Sequence, residues 1–244
     1  MTRLQLIQQV ALRMDEVSPE IEVADLTVDG SDGNPLYTLI DGLVDGGALE
    51  LFSVAPYWRL QQKIFGDSSI DFETVGSERK FNDGDGTITQ REAIRLKVPD
   101  DFLRVAEINH ESFLRPITEV VEESSDVARR QHNPYLMAKE AKPVGVMSHG
   151  VWETGNETTH CREIDCFSVK EEDAVVGKVV ATYIPKPETI VDGETEQTSV
   201  SVEQAVPPVL IPALEWLIAA RTFGARGDAN HAAICQQNAQ NLLV

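Results

Sequence analysis

The stretch Pro207–Leu243, PPVLIPALEWLIAARTFGARGDANHAAICQQNAQNLL, decides the fold. Two prolines precede apolar residues that recur at helical spacing, which predicts a helix with one apolar face. The sequence FGARGD predicts a tight turn, and Asp228 is the expected N-cap of a last helix. The expected buried residues are Leu210, Ala213, Leu214, Leu217 and Ile218 in the first helix and Ala229, Ala232, Ala233, Ala239 and Leu242 in the second. The small side chains of the second helix indicate close antiparallel packing.

Two further helices are predicted near the N-terminus. Thr2 is the expected N-cap of the first, and its apolar face is Leu4, Ile7, Ala11 and Met14. In the second, Asn34 is the expected cap, Pro35 lies in the first turn and Pro56 ends the helix. Its apolar stripe is Leu36, Leu39, Ile40, Leu43, Val44, Leu51 and Phe52, and its glycines are Gly42, Gly46 and Gly47. These glycines weaken the helix by up to about 1 kcal/mol each, but they also permit close approach of a partner helix.

The middle of the chain favours strands. AIRLKVPDD alternates apolar with basic residues, as a half-buried strand does, and FLRVAEIN follows it. KPVGVM and IDCFSV are further predicted strands, and GKVVATYIP is apolar enough to be buried on both faces. Ser124 or Ser125 can cap a short helix that ends before Pro134.

These patterns predict an α+β fold in which a terminal helical bundle carries a β-rich insertion. The bundle comprises residues 1–60 and 205–244. The insertion comprises residues 61–185, with a short helix near 124–132. Residues 186–204 are polar and turn-rich, which predicts a loop or an arm.

Charge limits the possible functions. The chain has 244 residues, 40 acids and 21 bases, for a formal net charge of −19. A sequence-reading DNA binder is disfavoured, because phosphate binding requires clustered Lys and Arg. An acidic surface can instead line a channel through which DNA passes without sticking, although solubility alone also explains it. No apolar run is long enough to span a bilayer. The three cysteines do not suggest a disulfide framework. The N-terminus lacks the continuous apolar centre of a secretory signal peptide.

The loop Phe81–Glu92, FNDGDGTITQRE, resembles a calcium-binding EF-hand loop. With Gly86 at the sixth position, Asp83, Asp85 and Glu92 occupy the third, fifth and twelfth ligand positions. Phe81 then occupies the first position, where a carboxylate is required, and the preceding sequence does not favour a helix. We therefore interpret the segment as a β-hairpin whose tip is NDGDG.

Other motifs are weak. His149, His160, Cys161 and Cys166 lack the paired spacing of a zinc site, and Cys166 is expected to be a core residue. Neither a nucleophile elbow nor a phosphate-binding glycine loop is present. The sequence therefore predicts no enzyme, no cofactor and no catalytic or metal-binding residue.

Several segments, taken in order, resemble the head-to-tail connector (adaptor, or neck ring) proteins of tailed bacteriophages, most closely the ring proteins of crAss-like phages. They are ELFSVAPYWRL, VPDDFLRVAEI, SSDVARRQHNPYLMAKEAKPVGVM, VVATYIPKP and PALEWLIAARTFGARGDANHAAICQQNAQNLL. Together they cover most of the chain. The motifs are structural, so no functional residue follows from them.

The resemblance implies a ring of twelve copies in the virion neck, assembled in the host bacterial cytoplasm. Such a ring joins the portal protein to further connector or tail proteins and extends the DNA channel, without membrane contact. The polar segments 111–142 and 186–204 are candidate arms that reach a neighbouring subunit.

Two alternatives stay open: a calcium-binding module using residues 81–92, and a tail-associated hydrolase whose triad the sequence does not reveal.

Overall fold

Helices lie at both chain ends and strands lie between them, so the α+β prediction is confirmed. The computed structural model describes residues 1–18, 35–65, 79–82, 88–91, 93–111, 113–131, 136, 141–154, 157–167, 179–192 and 199–244. The chain divides into two compact units: a helical unit, residues 1–61 with 186–244, and a β unit, residues 62–185.

The elements follow one another along the chain with these bounds. The helices are α1 (Arg3–Val17), α2 (Pro35–Val54), α3 (Asp126–Arg130), α4 (Val202–Ala205), α5 (Ile211–Ala225) and α6 (Ala229–Leu243). The strands are β1 (Lys63–Phe65), β2 (Arg79–Asn82), β3 (Ile88–Arg91), β4 (Ala93–Lys97), β5 (Phe102–His110), β6 (Val120–Glu122), β7 (Val144–Thr154), β8 (Glu157–Phe167) and β9 (Val179–Pro185). Among the described residues, no helix has the length and apolarity needed to cross a membrane.

Helix α1 begins with the predicted cap. The Thr2 hydroxyl accepts a hydrogen bond from the Gln5 backbone N–H at 3.1 Å. The Gln5 side chain accepts one in return from the Thr2 N–H at 2.9 Å, which completes a capping box. The buried face is Leu6, Ile7, Val10, Ala11 and Met14. Leu4, which we expected on this face, is only half-buried.

Helix α5 is the centre of the helical unit, because α1, α2 and α6 all pack against it. Its buried residues are Ala213, Leu214, Glu215, Leu217, Ile218, Ala219, Thr222 and Phe223. Where α2 crosses it, a Cβ placed on Gly47 would lie 2.6 Å from Cγ1 of Ile218. The prediction that glycines of α2 permit close helix packing is confirmed at this position.

The turn between α5 and α6 is also as predicted. Gly227 has a φ of 81°, a left-handed conformation that favours glycine. The Asp228 carboxylate caps α6 by accepting from the His231 N–H at 3.1 Å.

The predicted buried face of α6 is wrong in part. The buried residues are Cys235, Ala239 and Leu243, whereas Ala229, Ala233 and Leu242 are exposed and Ala232 is half-buried. Since α6 packs mainly on α5, only one narrow stripe at i, i+4 and i+8 is covered. Leu243 therefore takes the buried place that the sequence pattern gave to Leu242.

The β unit is built around two facing sheets. One is antiparallel with the order β1-β9-β5, and the other has the order β4-β8-β7-β6, in which β6 pairs parallel to β7. Residues of both sheets share one buried cluster: Leu96, Val98, Phe102, Ile108, Ile117, Ile164, Cys166, Val179, Ala181 and Tyr183. Strands β4 and β5 and the core position of Cys166 are as predicted.

Two predictions for the middle of the chain have different outcomes. Helix α3 lies within the expected 124–132 range, and the Ser125 hydroxyl caps it by accepting from the Ala128 N–H at 3.1 Å. Strand β9 is not buried on both faces, because Val180 is 40% exposed. The inner face of β9 meets the other sheet, and its outer face is covered only in places.

The segment 186–204 is irregular, as expected of a loop, but its described residues do not project as an arm. Val191 and Val200 form an antiparallel bridge, and Ile190 is buried. Helix α4 then buries Val202 and Ala205 in the helical unit. A few apolar residues among many polar ones hold this segment in place. Their burial could not be predicted from the sequence, because they do not recur with a helical or strand period.

We expect Gly47→Ala to destabilise the helical unit by about 1–3 kcal/mol, because the new methyl group would overlap Ile218. Gly42→Ala is the matched control in the same helix, since nothing lies within 4 Å of the added Cβ. We expect it to stabilise α2 by up to about 1 kcal/mol through helix propensity. Urea unfolding followed by circular dichroism at the helical band measures both. Equal stability of the two variants would contradict the close-packing assignment.

Candidate functional site

The acidic loop that resembles a calcium site joins two paired strands. Strands β2 and β3 are antiparallel, with Phe81 opposite Thr89 and Asn82 opposite Ile88. The predicted hairpin is therefore confirmed for the described strands, and the helices that flank an EF-hand loop are replaced by a two-stranded sheet. Residues 83–87 and Glu92 lie outside the described residues.

The four candidate zinc ligands lie along neighbouring strands β7 and β8. Cys161 and Cys166 are five residues apart along the backbone of β8, a separation of about 17 Å. His160 and Cys166 are six residues apart on the same strand, about 20 Å. His149 lies opposite Arg162 and is exposed. This placement does not gather the four residues into one metal site.

A carboxylate, a histidine and a cysteine lie close together at the start of α6. Asp228 Oδ2 and His231 Nδ1 are 2.5 Å apart, and Cys235 follows one helical turn later. Burial, with a smaller effect of Asp228, raises the pKa of the Cys235 thiol to about 11. A nucleophilic cysteine requires the opposite shift, since the thiolate is the reactive form. The arrangement serves as a helix cap rather than as a catalytic triad.

The sequence analysis missed two buried acids on β8. Glu163 is 3% exposed and Asp165 is fully buried. Their backbone partners on β4 are Lys97 and Arg95, in that order. The sequence contains this pattern, because acids occupy alternate positions of β8 and bases occupy alternate positions of β4. Opposite charges at paired strand positions favour this register, which indicates a structural role for the two acids.

An open-sided cavity of about 400 Å³ lies in the helical unit at the start of α1 and α2. We call it the acidic cavity; its lining residues are Arg3, Leu4, Ile7, Tyr37, Thr38, Asp41 and Asp192. The Tyr37 hydroxyl in its wall is shielded from solvent and has no hydrogen-bond partner among the described residues. Burial also raises the pKa of Tyr37. Leaving a buried hydroxyl without a partner costs about 1–3 kcal/mol.

Arg3 joins the three segments around the acidic cavity. Its Nε donates to Asp41 Oδ1 at 2.5 Å, and its Nη2 donates to the Asp41 carbonyl at 2.7 Å. Its Nη1 donates to the Ile190 carbonyl at 2.6 Å and lies 3.2 Å from Asp45 Oδ1. Burial alone would lower the pKa of Arg3, but the two carboxylates outweigh burial and raise it. Arg3 is thus fixed as a structural cation.

Asp192 caps the same end of α1. One of its carboxylate oxygens accepts from the Arg3 N–H at 2.8 Å, and the other accepts from the Leu4 N–H at 3.1 Å. With the Thr2 and Gln5 capping box, the first-turn N–H groups of α1 are satisfied. The carboxylate also opposes the positive end of the helix dipole.

A second surface of the helical unit exposes apolar side chains at the far end of α2. We call it the aromatic surface: Val54, Tyr57, Trp58 and Leu242. Trp58 is 67% exposed, and its ring contacts Tyr57 edge to face at 5.3 Å. Arg59 fixes this turn against α6 by donating to the Leu242 carbonyl at 2.9 Å. The exposure of Trp58 favours an interface.

In comparisons with known proteins, no family model matches the chain and no curated protein is detectably similar to it. Any functional assignment therefore depends on the residues, the fold and the two surfaces of the helical unit.

We expect Asp192→Ala to destabilise the helical unit by about 1 kcal/mol, because two N–H groups of α1 lose their acceptor. Asp192→Asn is the matched control: it retains one acceptor oxygen and should lose about half as much. Urea unfolding followed at the helical band measures the difference. Unchanged stability in both variants would show that the cap contributes nothing.

We expect millimolar calcium to leave the thermal unfolding temperature unchanged, because strands rather than helices flank residues 81–92. Asp85→Ala is the control, and it should behave as the parent protein does with and without calcium. A calcium-dependent rise in unfolding temperature that Asp85→Ala abolishes would overturn the hairpin interpretation in favour of a calcium module.

Proposed function

We propose that the protein is a structural virion component that forms an oligomeric ring in the neck of a tailed bacteriophage. In this function it joins the portal to the tail and extends the DNA channel. The resemblance implies twelve copies, a portal partner on one side and connector or tail proteins on the other. Assembly takes place in the host bacterial cytoplasm, and no catalytic step is involved.

The observation that carries the proposal is the aromatic surface of the helical unit. Trp58 and Tyr57 are 67% and 50% exposed, and Val54 beside them is 55% exposed. Exposed aromatic groups of this kind are enriched where protein surfaces meet, and tryptophan is among the residues that contribute most to binding. A subunit that functions through its contacts needs such surfaces.

The organisation of the chain also supports the proposal. A helical unit assembled from both chain ends, with a β-rich segment inserted between them, is the architecture that the resemblance implies. The inserted strands have their own core, so this unit can contact other proteins without disturbing the helices.

Charge is consistent with a DNA channel. Arg3, Arg13 and Arg221 of the helical unit pair with acids of the same chain, at 2.5 to 3.0 Å in the closest contact of each. Acids already neutralise these three cations, which makes them poor phosphate ligands. An excess of acids lets DNA move past without binding.

Light scattering of the purified protein, alone and mixed with its candidate portal protein, tests the proposal, and negative-stain imaging shows the shape of any assembly. We expect rings, or monomers that become rings when the portal is added. A monomer that ignores the portal at every concentration would overturn the proposal. An isolated subunit that hydrolyses a cell-wall substrate would favour the hydrolase alternative instead.

A further inference from the structure

We propose that Trp58 of one copy inserts into the acidic cavity of the next copy, and that this contact builds the ring. The inference rests on the proposed function, because it names the surfaces through which copies of this chain meet. It commits to one occupant of the acidic cavity, namely the aromatic surface of a second copy.

The Trp58 side chain lies on a turn that is preorganised for insertion into a cavity. Trp58 follows α2 in a short 3-10 turn, Tyr57–Arg59, and Leu60 directly after it is buried. The edge-to-face contact with Tyr57 and the Arg59 hydrogen bonds to α6 hold the turn in place. Little side-chain freedom is therefore lost when the exposed indole becomes buried.

The receiving cavity has a matching size and lining. Its volume of about 400 Å³ is within the range of small-ligand pockets, roughly 300–1,000 Å³, and is ample for one indole ring. Leu4, Ile7 and Tyr37 provide apolar contacts. The carboxylates of Asp41 and Asp192 in the lining are acceptors, and the indole N–H is a donor.

Charge around the two surfaces is complementary. Asp41 and Asp192 line the cavity beside Arg3, which also pairs with Asp45, so acids outnumber bases among the described residues of this site. The inserted turn carries Arg59 directly beside Trp58, and its guanidinium stays positively charged while it donates to the Leu242 and Val244 carbonyls. Opposite charges at a contact favour this pairing over others and speed its formation.

The two surfaces lie at opposite ends of α2. Tyr37 and Asp41 are in its first two turns, and Trp58 follows its last residue. A 20-residue helix is about 30 Å long, so a copy cannot insert Trp58 into its own cavity. Contacts between two different patches are heterologous, and repetition of such a contact produces a ring when the rotation closes.

Two variants, each altered on one surface, test the contact. Trp58→Ala removes the inserted group, and Thr38→Trp fills the cavity mouth at an exposed position of α2. We expect each to weaken self-association at least tenfold in sedimentation velocity. Leu49→Ala is the control, because Leu49 is 42% exposed on the same helix and belongs to neither surface. Circular dichroism establishes that all three remain folded.

Mixing the two defective variants gives the sharpest result. Thr38→Trp retains its Trp58, and Trp58→Ala retains its cavity, so a 1:1 mixture has one competent contact. We expect heterodimers that grow no further, whereas each variant alone stays monomeric. Rings formed by Trp58→Ala alone would overturn this contact and leave the proposed ring function standing.

A photo-crosslinking amino acid at position 58 tests the contact without requiring rings. We expect crosslinks between copies that map by mass spectrometry to the cavity residues around Tyr37. Absence of such crosslinks in concentrated protein and in portal-bound protein would overturn the contact. Crosslinked dimers from a protein that never forms rings with the portal would support the contact while overturning the proposed function.

Discussion

The helical unit depends on the ion pairs and hydrogen bonds that Arg3 makes at the start of α1. This single side chain bonds to Asp41 in α2 and to the Ile190 carbonyl, which is 187 residues away in sequence. The Asp192 carboxylate caps the same helix from the returning segment. The two crossings between units occur near Gln61 and Lys186. Bringing the two ends of so long an insertion together costs conformational entropy. The polar bonds of Arg3 and Asp192 and the burial of Ile190 and Val202 together offset this cost.

How far the sequence predicts this fold depends on whether local or distant residues decide each feature. Thr2 and Asp228 were identified as caps, and the cap of α3 was narrowed to Ser124 or Ser125, because a cap is set by residues within one turn. The buried face of α6 was assigned to Leu242 instead of Leu243, since neighbouring leucines fit the helical period about equally well. Only the position of α5 decides between them. The exposure of Val180 was not predicted for the same reason, because burial of each face of β9 depends on the elements that pack against it.

The candidate surfaces were harder to predict for the same reason. The acidic cavity combines residues near positions 4, 38 and 192, and no local pattern links these segments. The Trp58 exposure depends on how the 3-10 turn leaves α2 and on its bonds to the end of α6. The buried acids Glu163 and Asp165 were recognisable in principle, but only after β4 and β8 had been paired in register. Pairing of strands is itself a long-range property.

A heterologous contact between the ends of α2 constrains what the assembly can be. Because Trp58 and the acidic cavity are different patches, two copies joined by one such contact still expose one free patch each. Growth therefore continues until the rotation between copies closes a ring, and a small error in that rotation yields a helical filament. The contact around one indole fixes position more firmly than angle, since it is a single point of insertion. In the proposed assembly, a second, circular partner would set the angle, and the proposed portal ring would supply a template on which each added copy meets the first.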